Sequence, residues 1–131
     1  MGATRAFSWA ARLRSFAHAA RGLGTLLGSQ HNAWLHLAAT LLVVAAGWGL
    51  GVTRSEWLAL VLVVALVWSA EAFNTALEFL ADAVAPEFHP LVGKAKDVAA
   101  GAVLICALAA LLVAALVFVP HLCSTRGPGP R

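Results

Sequence analysis

Glu71, Asn74, Glu78 and Asp82 stand at spacings of 3, 4 and 4 along the chain. On an α-helix those steps return to one face, so the four side chains form a single polar stripe. The stripe begins inside an apolar run, since Leu58 to Val67 carries no polar side chain. A carboxylate left unpaired in a membrane span costs from about 2.5 kcal/mol upward. Glu71 and Glu78 should therefore face a bundle interior or a cavity and have cationic partners. Asp82 is open to a plainer reading, as a charge near a helix end. Lys94 and Lys96 follow, just ahead of another apolar run. Carboxylates facing a lysine, with room for a divalent ion, are what phosphoryl transfer asks for. The metal bridges phosphate oxygens, a cation offsets the developing charge, and a carboxylate takes the proton from an attacking hydroxyl. Lys94 serves equally well as a topology and headgroup-contact residue. There is no Walker A motif and no GxGxxG, so neither the P-loop nor the protein-kinase solution applies.

Composition sets the elements that must hold this stripe. Of the 131 residues, 61% are hydrophobic and 11% charged, against about a quarter charged in a soluble domain. So small a globule could not hide that much apolar surface, and the bilayer is the natural solvent. The expected fold is all-α and integral to the membrane, with spans at about 33–52, 57–80 and 98–119. Trp34 and Trp48 bracket the first span as interfacial aromatics do. Gly47 and Gly51 have the GxxxG spacing that permits close helix approach, or reflect simple tolerance of glycine near a span end. Val52 to Glu56 reads as a short polar turn, and residues 82–97 as the longest polar connection. Pro86 and Pro90 bar one continuous helix through that connection, and Pro120 marks the end of the third span.

Ahead of the spans, Phe7, Leu13, Phe16, Leu23 and Leu27 recur at roughly helical spacing. They read as an interfacial amphipathic helix with its arginines toward anionic headgroups. Gly22, Gly24 and Gly28 suggest a break before the first span. The chain thus divides into an interfacial segment (1–30), a three-span membrane domain (31–122) and a Gly- and Pro-rich tail (123–131) expected to be disordered.

Arg5, Arg12, Arg14 and Arg21 precede the first span, and Lys94 and Lys96 lie in the second connection. The first connection holds Arg54, and Arg126 and Arg131 lie farther out in the tail. The positive-inside rule then puts the N-terminus and residues 82–97 in the cytoplasm, facing ATP, and the C-terminus outside. The net charge of +3 is accounted for by these flanking residues, so nucleic acid is not an expected partner. The scattered arginines leave no uninterrupted apolar core for a cleaved signal peptide. Cys106 and Cys123 make no CxxC or metal pattern.

Glu71-Ala72-Phe73-Asn74-Thr75-Ala76-Leu77-Glu78, followed by Asp82, resembles the E-x-x-N-[ST]-A-[IL]-E-x-x-x-D signature of the bacterial diacylglycerol kinase and undecaprenol kinase family. Ala95-Lys96-Asp97-Val98-Ala99-Ala100-Gly101-Ala102-Val103-Leu104 resembles its second signature, A-K-D-x-A-A-x-A-V-L. Ser15-Phe16, Arg21-Gly22-Leu23 and the pair Asn32 and His36 extend the resemblance over about residues 12–120. It implies a small ATP-dependent lipid kinase of the bacterial inner membrane, a homotrimer whose active sites are composite between subunits.

By matching position, Glu71 would be the general base on the lipid hydroxyl, with Arg14 also at the lipid substrate. Glu78 would bind Mg2+, and Lys96 the ATP phosphates. Asn74, Asp82 and Asp97 would shape the ATP site, while Glu87, Phe88 and His89 match a nucleotide-contacting segment. His18 stands where some members have an aromatic residue near the nucleotide. One position departs from the pattern. Where many members carry a second metal-binding glutamate, this chain has Gln30, whose amide oxygen can ligate magnesium but brings no charge. His31, a water or another carboxylate would then fill in. Asn74-Thr75, His89-Pro90-Leu91 and Asn32 with His36 look more like the undecaprenol kinase branch, with diacylglycerol left open as acceptor. Two other classes stay in view. A proton or ion pathway would use the intramembrane carboxylates but gives Lys96-Asp97 no task. A non-catalytic membrane adaptor derived from a kinase is favoured only by Gln30.

Overall fold

A computed structural model describes residues 8–124. Phe7 and the tail from 125 onward, with Arg126 and Arg131, lie outside the described residues. Among the described residues four α-helices follow in order: α1 (Trp9–Ser29), α2 (His31–Leu50), α3 (Arg54–Val84) and α4 (Pro90–Ser124). The last three are long and apolar enough to cross a membrane, and only 6% to 28% of their most apolar windows is buried. Leu35, Leu42, Trp48, Leu62, Ile105 and Leu112 all stand exposed. Helices apolar on every side are stable only inside a large core or in lipid, and a chain this size has no large core. The fold is that of a small all-α integral membrane protein.

α3 is the frame. Its 31 residues rise to roughly 46 Å, longer than the ~30 Å hydrocarbon layer, so its ends project beyond the lipid tails. A capping box starts it ahead of the expected Trp57. The Thr53 hydroxyl accepts from the Glu56 N–H at 3.4 Å, and Glu56 Oε2 accepts from the Thr53 N–H at 2.6 Å. Most of the expected 52–56 turn is therefore a helix cap and first turn. Here Val52, Leu60 and Val117 form a buried apolar cluster, extended by Val43, Leu50, Trp57, Val113 and Phe118. Glu56 Oε2 also lies 3.7 Å from His121 Nε2, tying the start of α3 to the end of α4.

The two glycines with GxxxG spacing have separate tasks within the chain. Gly51 closes α2 in the left-handed region at φ 66°, where a side chain would be strained. Gly47 admits an indole, because a Cβ there would lie 2.7 Å from Trp57 Cη2 and Cζ2.

The break expected before the first span is present at Gln30, whose extended backbone (φ −119°, ψ 122°) caps both α1 and α2, while α1 itself runs unbroken through Gly22, Gly24 and Gly28. The far end of α1 is held by packing, with Leu26 buried and a groove against Ala72, Thr75, Ala76 and Phe79 of α3; that contact outweighs the ~1 kcal/mol helix cost of a glycine. α4 begins at Pro90 rather than near 98, so the connection shrinks to Ala85–His89. Proline suits a first helical position, where no N–H is needed, and His89 Nδ1 accepts from the Leu91 N–H at 3.3 Å. Nor does Pro120 end α4. The helix runs on to Ser124, and side chains cover carbonyls of its last turns: His121 Nδ1 donates to Val117 O at 2.9 Å and the Ser124 hydroxyl to Pro120 O at 2.9 Å.

Gly47→Ala should drive its methyl into the Trp57 indole and destabilise the chain by about 1–3 kcal/mol. Thermal unfolding in detergent should show a clearly lowered midpoint, whereas Gly49→Ala, with open space at its Cβ, should not.

Candidate functional site

On α3 the polar stripe becomes a gradient of burial. Glu71 is 1% exposed and Asn74 7%, Glu78 is half-buried, and Asp82 is exposed. From Glu71 to Asp82 the helix climbs roughly 16 Å, which carries the stripe from the middle of α3 to near its end.

Glu71 lines a cleft of about 240 Å³ between α2, α3 and α4, together with Asn32, His36, Asn74, Ala100 and Val103. Neither of its carboxylate oxygens has a hydrogen-bond partner among the described residues. The cation-forming group beside it is His36, with Nε2 3.7 Å from Oε2. About two turns further along, Glu78 is bracketed by two amides. Asn74 Nδ2 donates to its Oε1 at 3.1 Å, and Gln30 Nε2 donates to its Oε2 at 2.9 Å. Gln30 can reach because the α1–α2 break sets it beside α3. A turn further still, Lys96 Nζ donates to Asp82 Oδ1 at 2.6 Å. α4 brings that lysine into place because its helix already includes the 90–97 stretch.

The remaining expected residues lie apart from this line. Arg14 and His18 are exposed on α1, and Arg21 donates to His18 Nδ1 at 2.8 Å. Glu87, Phe88 and His89 are exposed in the α3–α4 connection, Phe88 at 90%. Asp97 is exposed on α4 and Lys94 beside it. Sequence reasoning missed two groups. Thr75 is buried beside Asn74, and His36 meets Glu71. The signal for His36 was available, since an ionisable side chain inside the first apolar run is itself a functional pointer.

Chemically the line has three parts: a buried carboxylate at a cleft, a carboxylate held by two neutral amides, and a half-buried lysine paired with the exposed Asp82 near the end of α3. Among the described residues no group of three or more His, Cys, Asp or Glu side chains could hold a metal ion. The Glu78 carboxylate is nonetheless suited to magnesium, which takes one or two protein carboxylates and completes its shell with phosphate and water.

Asn74→Ala should remove a hydrogen bond to a charged acceptor and cost about 1.5–3 kcal/mol. Asp82→Asn, at an exposed ion pair, should cost about 0–1 kcal/mol. Unfolding of both variants in the same detergent checks the order.

A sequence model of the family described as prokaryotic diacylglycerol kinase matches residues 17–118. An undecaprenol kinase of Bacillus subtilis (strain 168) is 35% identical over 109 residues, covering 83% of this chain and 89% of the relative. A diacylglycerol kinase of Synechocystis (strain PCC 6803) is 36% identical over 113 residues, 86% of this chain and 65% of the relative. A diacylglycerol kinase of Escherichia coli (strain K12) is 35% identical over 85 residues, 65% of this chain and 69% of the relative.

Proposed function

This chain belongs to the prokaryotic diacylglycerol kinase family and is a lipid kinase that uses ATP; from that premise we propose that Glu71 is the general base and that the polar line from Glu71 to Lys96 joins the lipid hydroxyl to the nucleotide. The observation that carries the reading is the burial of the Glu71 carboxylate at a cleft, half-way along a membrane helix. A lipid hydroxyl can reach that depth, and the γ-phosphate would extend along the polar stripe to meet it while the rest of ATP stays toward the helix end.

In the proposed step the hydroxyl oxygen forms a bond to the γ-phosphorus. The bond from that phosphorus to the β–γ bridging oxygen breaks, ADP leaves, and the proton passes to Glu71. Little covalent chemistry is asked of the protein, so positioning and charge neutralisation carry the catalysis. Lys96 offsets phosphate charge after exchanging Asp82 for ATP, while Asn74, Asp82 and Asp97 shape the site. The exposed Glu87, Phe88 and His89 are free to meet the nucleotide. Arg14 and His18 join from α1, lying at the interface, where they meet lipid and nucleotide respectively.

Magnesium, arriving with ATP, would supply positive charge to offset that of the phosphates. Glu78 would hold it, with the Gln30 amide oxygen as a neutral second ligand once that amide turns over. The bacterial inner membrane, a cytoplasmic N-terminus, and a homotrimer with shared sites belong to the same reading. The acceptor we favour is undecaprenol, supported by the match to 89% of the undecaprenol kinase relative and by the Asn74-Thr75 and His89-Pro90-Leu91 segments.

Transfer of labelled γ-phosphate from Mg·ATP should place label in undecaprenol rather than diacylglycerol when each is presented in mixed micelles. Glu71→Gln should lower turnover by about 10²-fold or more, the share a positioned base supplies. Label entering diacylglycerol alone would reverse the choice of acceptor, and a Glu71→Gln chain of normal turnover would remove the base. Separately, Gln30→Glu sets a second carboxylate against Glu78, so like charges repel without metal. The magnesium concentration for half-maximal turnover should fall several-fold, to about a tenth of the wild-type value if roughly 1.4 kcal/mol is gained. The metal-free variant should also unfold at a lower temperature.

A further inference from the structure

We propose that His36 is a positioning residue for the reaction, holding the Glu71 carboxylate so that one oxygen is committed to the imidazole and the other faces the lipid hydroxyl. This rests on the reading of Glu71 as the base.

Three observations carry it. His36 Nε2 lies 3.7 Å from Glu71 Oε2, and Glu71 is almost fully buried with neither oxygen hydrogen-bonded among the described residues. A carboxylate in that setting needs a donor. The gap is about 1 Å longer than a charge-assisted hydrogen bond, within the reach of a small ring movement. Second, the ring is braced from its own side. Trp68, one turn before Glu71 on α3, meets the His36 ring edge-on with centroids 6.4 Å apart. The Trp68 indole N–H donates to the Thr40 hydroxyl at 3.0 Å, and that hydroxyl donates to the His36 carbonyl at 2.7 Å. The brace therefore ties the turn that carries the imidazole to the turn of α3 that carries the carboxylate. Third, His36 and Glu71 line the same cleft, the one by which a lipid hydroxyl would approach the carboxylate.

The geometry gives the two carboxylate oxygens different tasks. With Oε2 turned toward His36, the Glu71 carboxylate cannot rotate freely, and Oε1 is the oxygen left for the proton. Without the imidazole the same carboxylate would have no fixed orientation and no donor in a dry site. His36 itself need touch neither substrate nor nucleotide.

The test is lipid-kinase turnover of the full chain in mixed micelles with Mg·ATP. It compares wild type, His36→Ala, His36→Gln, Glu71→Gln and the doubly substituted His36→Ala/Glu71→Gln chain, each checked for a cooperative thermal transition. His36→Ala should lower kcat roughly tenfold or more, a part of what a positioned base supplies, and leave KM for ATP within about twofold. His36→Gln, which restores a side-chain N–H donor, should regain most of that loss. Adding His36→Ala to Glu71→Gln should lower turnover no further, because the two act as one unit. If the alanine variant does not fold, His36→Leu, which fills the space without a donor, takes its place in every comparison. Wild-type kcat in the donor-less variant, no recovery with glutamine, or a full additional loss in the double variant would each overturn the proposal. Glu71→Gln separates the two readings. If that variant turns over normally, the base assignment fails and this proposal with it. If it is inactive while His36→Ala is normal, only the role of His36 fails.

Discussion

A carboxylate buried half-way along a membrane helix is the constraint on which the rest of this structure depends. Glu71 gains nothing by packing there, and an ionised group in hydrocarbon is costly unless something nearby repays it. Every neighbouring feature can be understood as a condition for tolerating it. α2, α3 and α4 converge to keep lipid tails away from it, leaving a small cleft instead of a filled core. The large apolar cluster is displaced to the other end of the bundle, around Val52, Leu60 and Val117. Stability is thereby supplied at one end, and polarity is admitted at the other.

The same helix solves a second difficulty. The two substrates of a lipid kinase differ so much in solubility that no single environment suits both. A stripe repeating at 3 and 4 residues crosses that divide without a loop, because each turn of α3 moves it about 5.4 Å along the axis. Burial falls step by step from Glu71 through Asn74 and Glu78 to Asp82. The partners change in parallel: an imidazole at the deepest level, two amides next, and a half-buried lysine toward the end of the stripe. A permanently charged partner appears only there, where water can share its charge. At intermediate depth, neutral donors are used, which satisfy a carboxylate without requiring a second ion to be desolvated.

The sequence made the stripe legible because helical spacing needs only one element. The three apolar helices were legible for a similar reason, since composition alone demands lipid. Helix ends were not. The start of α4 at Pro90 and its continuation past Pro120 show that hydropathy marks where a helix meets water, not where its hydrogen bonds stop. Polar residues such as Lys94 and Asp97 simply ride on the helix beyond the lipid. The unbroken α1 was hidden for a different reason, as glycine propensity is a weak prior that tertiary packing overrides. Pairs between elements were the least legible. Nothing in the spacing of Gln30 or His36 says which turn of α3 they face, because that depends on how helices rotate about their own axes when they pack. The Gly47–Gly51 pair is instructive here. Its spacing fitted a helix–helix notch, yet one glycine admits Trp57 and the other turns the chain.

Gln30 shows how one such hidden contact alters the electrostatics of the site. A glutamate at that position would bring two like charges within hydrogen-bonding distance and make the pair dependent on a cation to hold them. The amide instead closes the contact by itself, through a 2.9 Å hydrogen bond to Glu78. The α1–α2 junction is then tied to α3 whether or not a cation is present. That junction is also where the backbone breaks out of helix, so the tie fixes the angle at which α1 leaves the bundle. Lost negative charge and gained rigidity are two results of the same substitution of an amide for a carboxylate. The first weakens attraction for a divalent ion. The second holds Asn74, Glu78 and the end of α1 together, and on the proposed reading the ordering that nucleotide binding would otherwise have to impose is then already in place.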